Sequence, residues 1–140
     1  MATFVLTNAF CTINAVALAD HTKSITLNYS AEMLDDTVMG CTTRSSLPGL
    51  KTWSLEVQFL QDFAAANVDA TLWALVGAVA FTVEVRAVNT GRGPTNPGYN
   101  AYAVLESYSP LSGGVGELGS TTAAFRPGGG TTATLLRSTS

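Results

Sequence analysis

The sequence predicts a mainly β fold: a β-sandwich or split barrel of about seven to eight strands, with one flanking α-helix at about residues 68–76. Two segments, 24–30 and 52–59, alternate strictly between apolar and polar residues, which is typical of half-buried strands. Segments rich in glycine, proline and asparagine separate the other apolar runs, as expected of turns between antiparallel strands. We predict a single domain over residues 1–140, because a chain of this length can bury one core and no linker divides it.

The first strands are predicted in the N-terminal part of the chain. Residues 4–6 are a candidate first strand. Residues 10–13 and 16–18 flank Asn14 and Ala15, a plausible tight turn. These segments lead into the strong strand pattern at 24–30.

One segment has the period of an α-helix. From Val68 to Val76, apolar residues recur at positions i, i+4, i+7 and i+8. Asn67 is a candidate N-cap, Asp69 suits the first turn, and Gly77 suits a C-terminal stop. We therefore predict a helix of about three turns.

The remaining strands follow the helix and are separated by turn-rich segments at 89–98, 110–114 and 127–130. They are predicted at residues 80–86, 99–108, 121–125 and 132–136.

The connection between the two strongest strand patterns, residues 31–51, has about twenty residues, whereas a hairpin loop usually has 2–5. A loop of that length in a small domain is usually functional or disordered. This one is too apolar to remain in water, so we expect it to pack on another surface, such as a neighbouring subunit. Its large apolar residues are Met33, Leu34, Val38, Met39, Leu47 and Leu50.

Composition also points to assembly. Hydrophobic residues make up 46% of the chain and charged residues 12%, whereas the usual charged share is about 25%. A chain with so few charges is expected to bury part of its surface against other subunits. The net charge of −3 and the scattered basic residues argue against general binding of nucleic acid.

The sequence predicts a protein made and kept in a cytoplasm. No basic segment precedes the apolar residues at the start, so no signal peptide is indicated. No run approaches the roughly 18 apolar residues that span a membrane. In that compartment, Cys11 and Cys41 are expected to be free thiols.

No catalytic, cofactor-binding or metal-binding set is predicted. Residues 114–119 match G-x-G-x-x-G, but poor helix formers follow and no acid comes after Glu117, so a glycine-rich turn is favoured over a dinucleotide site. His21 is best interpreted as a turn residue, since a zinc site with Cys11 and Cys41 lacks the usual spacing. We therefore predict that the protein is not an enzyme.

The acidic residues also favour a structural interpretation over a binding or catalytic site. Glu32, Asp35 and Asp36 lack the spacing of a calcium loop, and a solvated or salt-bridging cluster is favoured over a cation site. Glu84 and Glu106 lie on predicted strands and more often mark the polar face of a sheet than a glycosidase pair.

A series of short stretches in the chain has a familiar order. They lie at residues 28–40, 42–44, 47–51, 53–57, 61–63, 68–72, 76–77, 105–110 and 116–118. Together these stretches resemble the major tail proteins, also called tail tube proteins, of long-tailed, siphovirus-type bacteriophages. The resemblance extends from about residue 24 to the C-terminus, and its weight comes from the order of the stretches.

The resemblance implies a structural protein of the phage virion. Members of that family are β-sandwiches with a flanking helix that close into hexameric rings, and the rings stack into a tube through which DNA is ejected. It implies that the connection at 31–51 reaches an adjacent ring. The implied partners are the protein itself, the tape-measure and other tail proteins, and passing double-stranded DNA without specific binding. The implied location is the virion tail, assembled in the host bacterial cytoplasm, with no cofactor.

Two sets of residues are candidates for these roles. Arg44 with Asp35 and Asp36 is a candidate inter-ring salt-bridge set. Apolar contacts should contribute more to the binding free energy, because exposed ion pairs contribute little. Glu56 and Glu84 are candidate lumen-facing acids that would repel DNA from the wall. The candidate inter-ring contacts are Met33, Asp35, Asp36, Arg44, Leu47 and Leu50.

Two other interpretations stay open at this stage. Another virion component, namely a tail terminator, a head–tail connector or a capsid decoration protein, would share the small β-rich build. A ligand- or carbohydrate-binding β-sandwich would use Trp53 or the strand at 99–108.

Overall fold

A computed structural model describes residues 3–139. In this part of the chain, eight strands form one antiparallel sheet, and one α-helix packs beside it, which confirms the predicted fold class. The strands are β1 (Phe10–Ile13), β2 (Val16–Ala17), β3 (Thr22–Asp35), β4 (Ser46–Leu60), β5 (Phe81–Arg86), β6 (Gly98–Tyr108), β7 (Ser120–Pro127) and β8 (Leu136–Ser138), and the helix is α1 (Val68–Leu75).

The sheet runs in the order β2-β1-β5-β6-β7-β4-β3, and β8 also pairs with β6. Strands β2 and β3 therefore stand at the two ends of the path. The first hairpin turns through Asn14 and Ala15, which have φ values of 49° and 66°. Two central residues with positive φ give the turn whose twist matches the flanking strands, so the predicted tight turn is confirmed.

The hydrophobic core lies on one face of the sheet. The predicted alternation of β4 is confirmed, since Trp53, Leu55, Val57 and Phe59 are all buried. The rings of Phe81 and Phe125 meet edge-on, with centroids 5.9 Å apart. The other strand residues in the core are Cys11, Ile13, Val83, Val85, Ala101, Ala103, Leu105 and Ala123.

Helix α1 closes one side of this core with Val68, Leu72 and Leu75. Asn67 occupies the predicted N-cap position, but its side chain does not cap the helix; its Nδ2 donates to Asp62 Oδ2 at 2.8 Å. Beyond the C-cap residue, the φ of +76° at Gly77 suits the left-handed turn predicted there.

Two predicted strands are wrong. Residues 4–6 form no strand and are exposed; they do not extend the pairing of β1, whose two edges are taken by β2 and β5. The last predicted strand, 132–136, is a 3₁₀ turn at Gly130–Ala133 followed by the short β8. Gly129 and Gly130, in the turn predicted at 127–130, both have positive φ, and the turn continues as far as Ala133, into the segment predicted as a strand.

The bounds of the predicted connection at 31–51 are also wrong. Strand pairing continues past residue 31 as far as Asp35↔Ser46, so the irregular connection is residues 36–45. Ala31 pairs with Lys51 and Met33 with Pro48, so β4 has one residue more than β3 between these pairs. That β-bulge breaks the period of two, and the proline is rare in strands, so the sequence conceals the extension.

Candidate assembly surfaces

Residues 31–51 form a two-stranded projection that we call the hairpin arm, and residues 36–45 are its tip. Every residue of the arm is exposed or half-buried, and none belongs to the core. A two-stranded hairpin without a packed face is marginally stable in water. The arm therefore depends on its continuity with the sheet, and it contributes surface rather than core.

That surface is strongly apolar. Met39 at the tip is fully exposed and Leu50 is 81% exposed. Single exposed apolar residues are ordinary, but a cluster of this size on one projection marks an interaction site. The other exposed apolar side chains of the arm are Met33, Leu34, Val38 and Leu47.

Hydrogen bonds within the chain order the tip. Arg44 Nη1 donates to Asp35 Oδ2 at 3.0 Å, and the backbone N–H of Thr37 donates to Asp35 Oδ1 at 3.0 Å. Hydrogen bonds from Thr37, and then from Arg44, hold the pKa of Asp35 below its usual value. The backbone N–H of Ser45 donates to Thr37 Oγ1 at 2.7 Å and fixes the other side of the tip.

The predicted inter-ring salt-bridge set, Arg44 with Asp35 and Asp36, is partly paired within one copy. Arg44 and Asp35 pair with each other, and both are well exposed, so the pair contributes little to stability. Asp36 takes part in no ion pair within the part of the chain that the structure describes.

Glu84, a candidate lumen acid, lies between two arginines. Its carboxylate accepts hydrogen bonds from Arg86 Nε at 2.5 Å and from both Nε and Nη2 of Arg92. Burial raises the pKa of Glu84, but the hydrogen bonds and charges of the two arginines outweigh burial and lower it. The cluster carries one net positive charge, so Glu84 does not present a free negative charge.

The surroundings of Glu84 are also polar. Its cross-strand neighbours are Thr12 on β1 and Asn100 on β6. All three line a cavity of about 740 Å³ on the outer face of the sheet. Within residues 3–139, Thr12 Oγ1 and Asn100 Oδ1 are buried and have no hydrogen-bond partner.

Glu56, the other candidate lumen acid, is exposed on the outer face of β4. Its cross-strand neighbours are Thr26 and Ala124, and it joins no ion pair among the described residues. The two predicted acids therefore differ: Glu56 carries an uncompensated charge, and Glu84 does not.

His21 ends a 3₁₀ turn before β3, where the sequence predicted a turn residue. Its Nδ1 lies 2.9 Å from Asp20 Oδ1, and its Nε2 lies 2.8 Å from Asp62 Oδ2. Burial lowers the pKa of His21, but the hydrogen bonds and charges of Asp62 and Asp20 outweigh burial and raise it. The histidine therefore ties the start of β3 to the segment that leads into α1.

The cysteines lie in different environments. Cys11 is fully buried, and burial raises the pKa of its thiol to about 12. Cys41 is exposed at the arm tip, and both are free thiols. Among residues 3–139, no group of three histidine, cysteine or acidic side chains is placed to hold a metal ion.

A second apolar surface, which the sequence analysis missed, lies at the other end of β4. We call it the end patch: Phe63, Leu111, Val115 and Leu118. These side chains are between 63% and 109% exposed. The β6–β7 connection supplies three of them and includes the glycine-rich turn predicted at 114–119. The four residues of the end patch lie in two separate segments and follow no periodic pattern, so the sequence does not mark them as one surface.

No helix within residues 3–139 has both the length and the apolar character needed to cross a membrane.

Comparison with known proteins finds likeness in structure alone. No protein-family model and no curated protein matches the sequence. A chain from the virion of a native gene transfer agent particle superposes with a TM-score of 0.72 at 13% identity, covering 94% of this chain and 95% of that one. A chain from the tail of an empty gene transfer agent particle, refined with C6 symmetry, has a TM-score of 0.65 at 15% identity and covers 84% and 82%.

Two proteins of phage SPP1 are also similar. The SPP1 tail tube protein superposes with a TM-score of 0.66 at 13% identity, covering 94% of this chain and 75% of that one. The SPP1 Dit protein, described as part of a hub adsorption apparatus, has a TM-score of 0.52 at 15% identity and covers 84% and 48%. At these identities the likeness establishes a shared fold.

Proposed function

We propose that this chain is a tail tube protein, a structural virion protein that assembles into stacked hexameric rings and forms the tube through which DNA is ejected. The observation that carries the proposal is likeness along almost the whole chain to a virion subunit of nearly the same length. A likeness to an SPP1 tail tube protein supports it independently. No catalytic role is part of the proposal.

The ends of the sheet suit ring closure. Among the described residues, no strand pairs with the edge of β3 that lies opposite β4, and β2 ends the sheet on the other side. Free strand edges invite pairing with another chain, and a closed ring of head-to-tail contacts satisfies every edge at once. The sixfold symmetry of the gene transfer agent tail supports six copies.

The hairpin arm suits contact between rings. It projects beyond the core and carries six exposed apolar side chains. Head-to-tail stacking is open, so rings add indefinitely until another component stops them. The tape-measure and other tail proteins are the partners that we propose for this limit, and the virion tail, assembled in the host cytoplasm, is the proposed location.

The charge of the chain suits passage of DNA without binding. Each copy in a ring adds a formal charge of −3. Negative charge on the wall of a lumen repels the phosphate backbone. Of the two candidate acids we propose that Glu56 acts in this way, because the arginines beside Glu84 compensate its charge.

Electron microscopy of the purified protein over a concentration series, with light-scattering mass, tests the proposal. We expect hollow tubes of uniform width with stacked rings. A protein that stays monomeric at every soluble concentration, even with tail initiator proteins added, would contradict the proposal.

The likeness to SPP1 Dit favours a second candidate, a tail hub or terminator component that forms one ring. Single closed rings that never stack, at any concentration, would favour this candidate. The exposed arm argues for the tube, since a protein that forms one ring has less need of a projecting apolar contact surface.

A further inference from the structure

The hairpin arm and the end patch lie at opposite ends of the same strand. Strand β4 begins at Ser46, beside the arm tip, and ends at Leu60, which lines a cavity of about 450 Å³ at the end patch. Phe63, Leu111 and Leu118 also line this cavity. At about 3.3 Å per residue, the 14 steps from Ser46 to Leu60 separate the arm tip from the end patch by roughly 46 Å.

The end patch stands on an ordered support. Gln61 Nε2 donates to Tyr108 Oη at 3.1 Å and to the carbonyl oxygen of Pro110 at 2.6 Å. The backbone N–H of Gln61 donates to the carbonyl oxygen of Gly119 at 3.1 Å. These bonds join the end of β4 to the β6–β7 connection. The cavity is therefore held open in a single copy.

Of the charged groups at the two surfaces, Glu117, Asp35 and Arg44 already have partners within the chain, whereas Asp36 joins no ion pair among the described residues. At the end patch, Glu117 Oε2 accepts a hydrogen bond from the backbone N–H of Gly114 at 2.8 Å. At the arm tip, Arg44 pairs with Asp35. Contact between the two surfaces can therefore bury apolar side chains without leaving these three charges unpaired, which would be costly.

We propose that the arm tip of one copy docks on the end patch of a second copy in the next ring, with Met39 entering the cavity. This inference rests on the proposed tube function and names the surface that receives the arm. An open head-to-tail contact needs two different surfaces that face opposite ways, and the two ends of β4 provide them. Methionine is unbranched and adaptable, and it fills irregular apolar gaps well.

The chain offers a direct test, because Cys41 is exposed at the arm tip and Cys11 is buried. Val115→Cys places a new exposed thiol on the end patch. A mild two-electron oxidant such as diamide, added to assembled tubes, should take up the two thiol protons and two electrons and leave a disulfide between Cys41 of each copy and residue 115 of the next. We expect a ladder of dimers, trimers and longer species on a non-reducing gel, and its loss on reduction.

Thr95→Cys is the matched control. Residue 95 is exposed, but it lies in the connection between β5 and β6, away from the end patch. We expect its tubes to give no more cross-linked product than the wild type. Leu118→Cys is a second test variant on the end patch, and it should give the same ladder as Val115→Cys.

The outcomes separate the docking from the tube function. Tubes without a ladder in both end-patch variants would overturn the docking and leave the tube function standing. Folded end-patch variants that lose tubes while Thr95→Cys keeps them would support docking at this surface. A wild type that never forms tubes would overturn the proposed function, and the docking with it.

Discussion

Replacing the hairpin arm with a two-residue turn separates its role in folding from its role in assembly. Ser30 and Thr52 face each other across β3 and β4. Residues 31–51 can therefore be replaced by Asn-Gly, which forms the tight turn that two paired strands prefer. The change removes no core residue, because every buried apolar side chain lies outside the arm.

The expected effect on folding is small. A two-stranded hairpin without a packed face is marginally stable, so its loss should change the free energy of unfolding by about 1 kcal/mol or less. The expected effect on assembly is large. The exposed fractions of the six apolar side chains of the arm together equal about four fully exposed side chains. At about 1.5–3 kcal/mol each, their burial would contribute up to roughly 6–12 kcal/mol per copy.

That contribution is of the same order as the free-energy cost of association, which is roughly 4–15 kcal/mol for the loss of translational and rotational freedom. Without the arm, rings should not stack. The assay is urea unfolding of the monomer, together with electron microscopy and sedimentation of the assembled protein. Thr95→Ala is the matched control, because residue 95 is exposed and lies outside both the arm and the end patch, so this change should leave tubes intact.

Two results would refute this reasoning. Tubes formed by the shortened protein would show that the arm is not the axial contact. A loss of unfolding free energy above about 3 kcal/mol would show that the arm supports the fold, because losses of that size need a buried or strained feature.

Three further variants test the charged groups. Glu84→Gln should lower the free energy of unfolding by about 1–3 kcal/mol at neutral pH. Because the pKa of Glu84 is lowered, this difference should be present above the ordinary carboxyl pKa and vanish as the pH falls through the lowered value. A difference that persists in acid would contradict the stabilising role of the ion pairs. Because the pKa of His21 is raised above 6.5, the stabilising contribution of His21 should be full below pH 6.5 and be lost as the pH rises through the raised pKa. The unfolding free energies of wild type and His21→Gln, measured by urea titration, should therefore converge at high pH. A difference that stays the same at every pH would contradict this role of His21. Glu56→Lys should leave the stability within about 0.5 kcal/mol and make tubes retain DNA in a salt-sensitive manner; tubes that retain no more DNA than the wild type would rule out Glu56 as a lumen acid.

Alternation of apolar and polar residues was sufficient to predict the strands whose side chains form the core. Trp53 and Phe59 lie at the two ends of an unbroken period of two, and both are buried where that period places them. The extension of the same strand could not be predicted, because the bulge near Gly49 and the proline at Pro48 remove the signal. The 3₁₀ turn at Gly130–Ala133 was missed for a similar reason, since threonines there resemble a strand.

The candidate site divides in the same way. The exposure of Met39 and Leu50 followed from the apolar content of a segment with no visible place in the core. The pairing of Glu84 with Arg92 could not be predicted, because it depends on how the connection after β5 folds back. A periodic pattern predicts which residues of one element share a face, whereas the end patch combines side chains from separate segments.

The length of β4 has a consequence for the dimensions of the proposed tube. If strands in its wall tilt by about 35–45° from the axis, as strands do in closed barrels, a strand of roughly 46 Å advances about 35 Å along the axis. With the arm tip of one ring seated on the end patch of the next, that advance is the axial repeat. Lengthening both strands of the arm by two residues should then increase the repeat by about 5 Å. The arm would thus act as a molecular ruler, fixing the spacing of the rings while their number fixes the length of the tail.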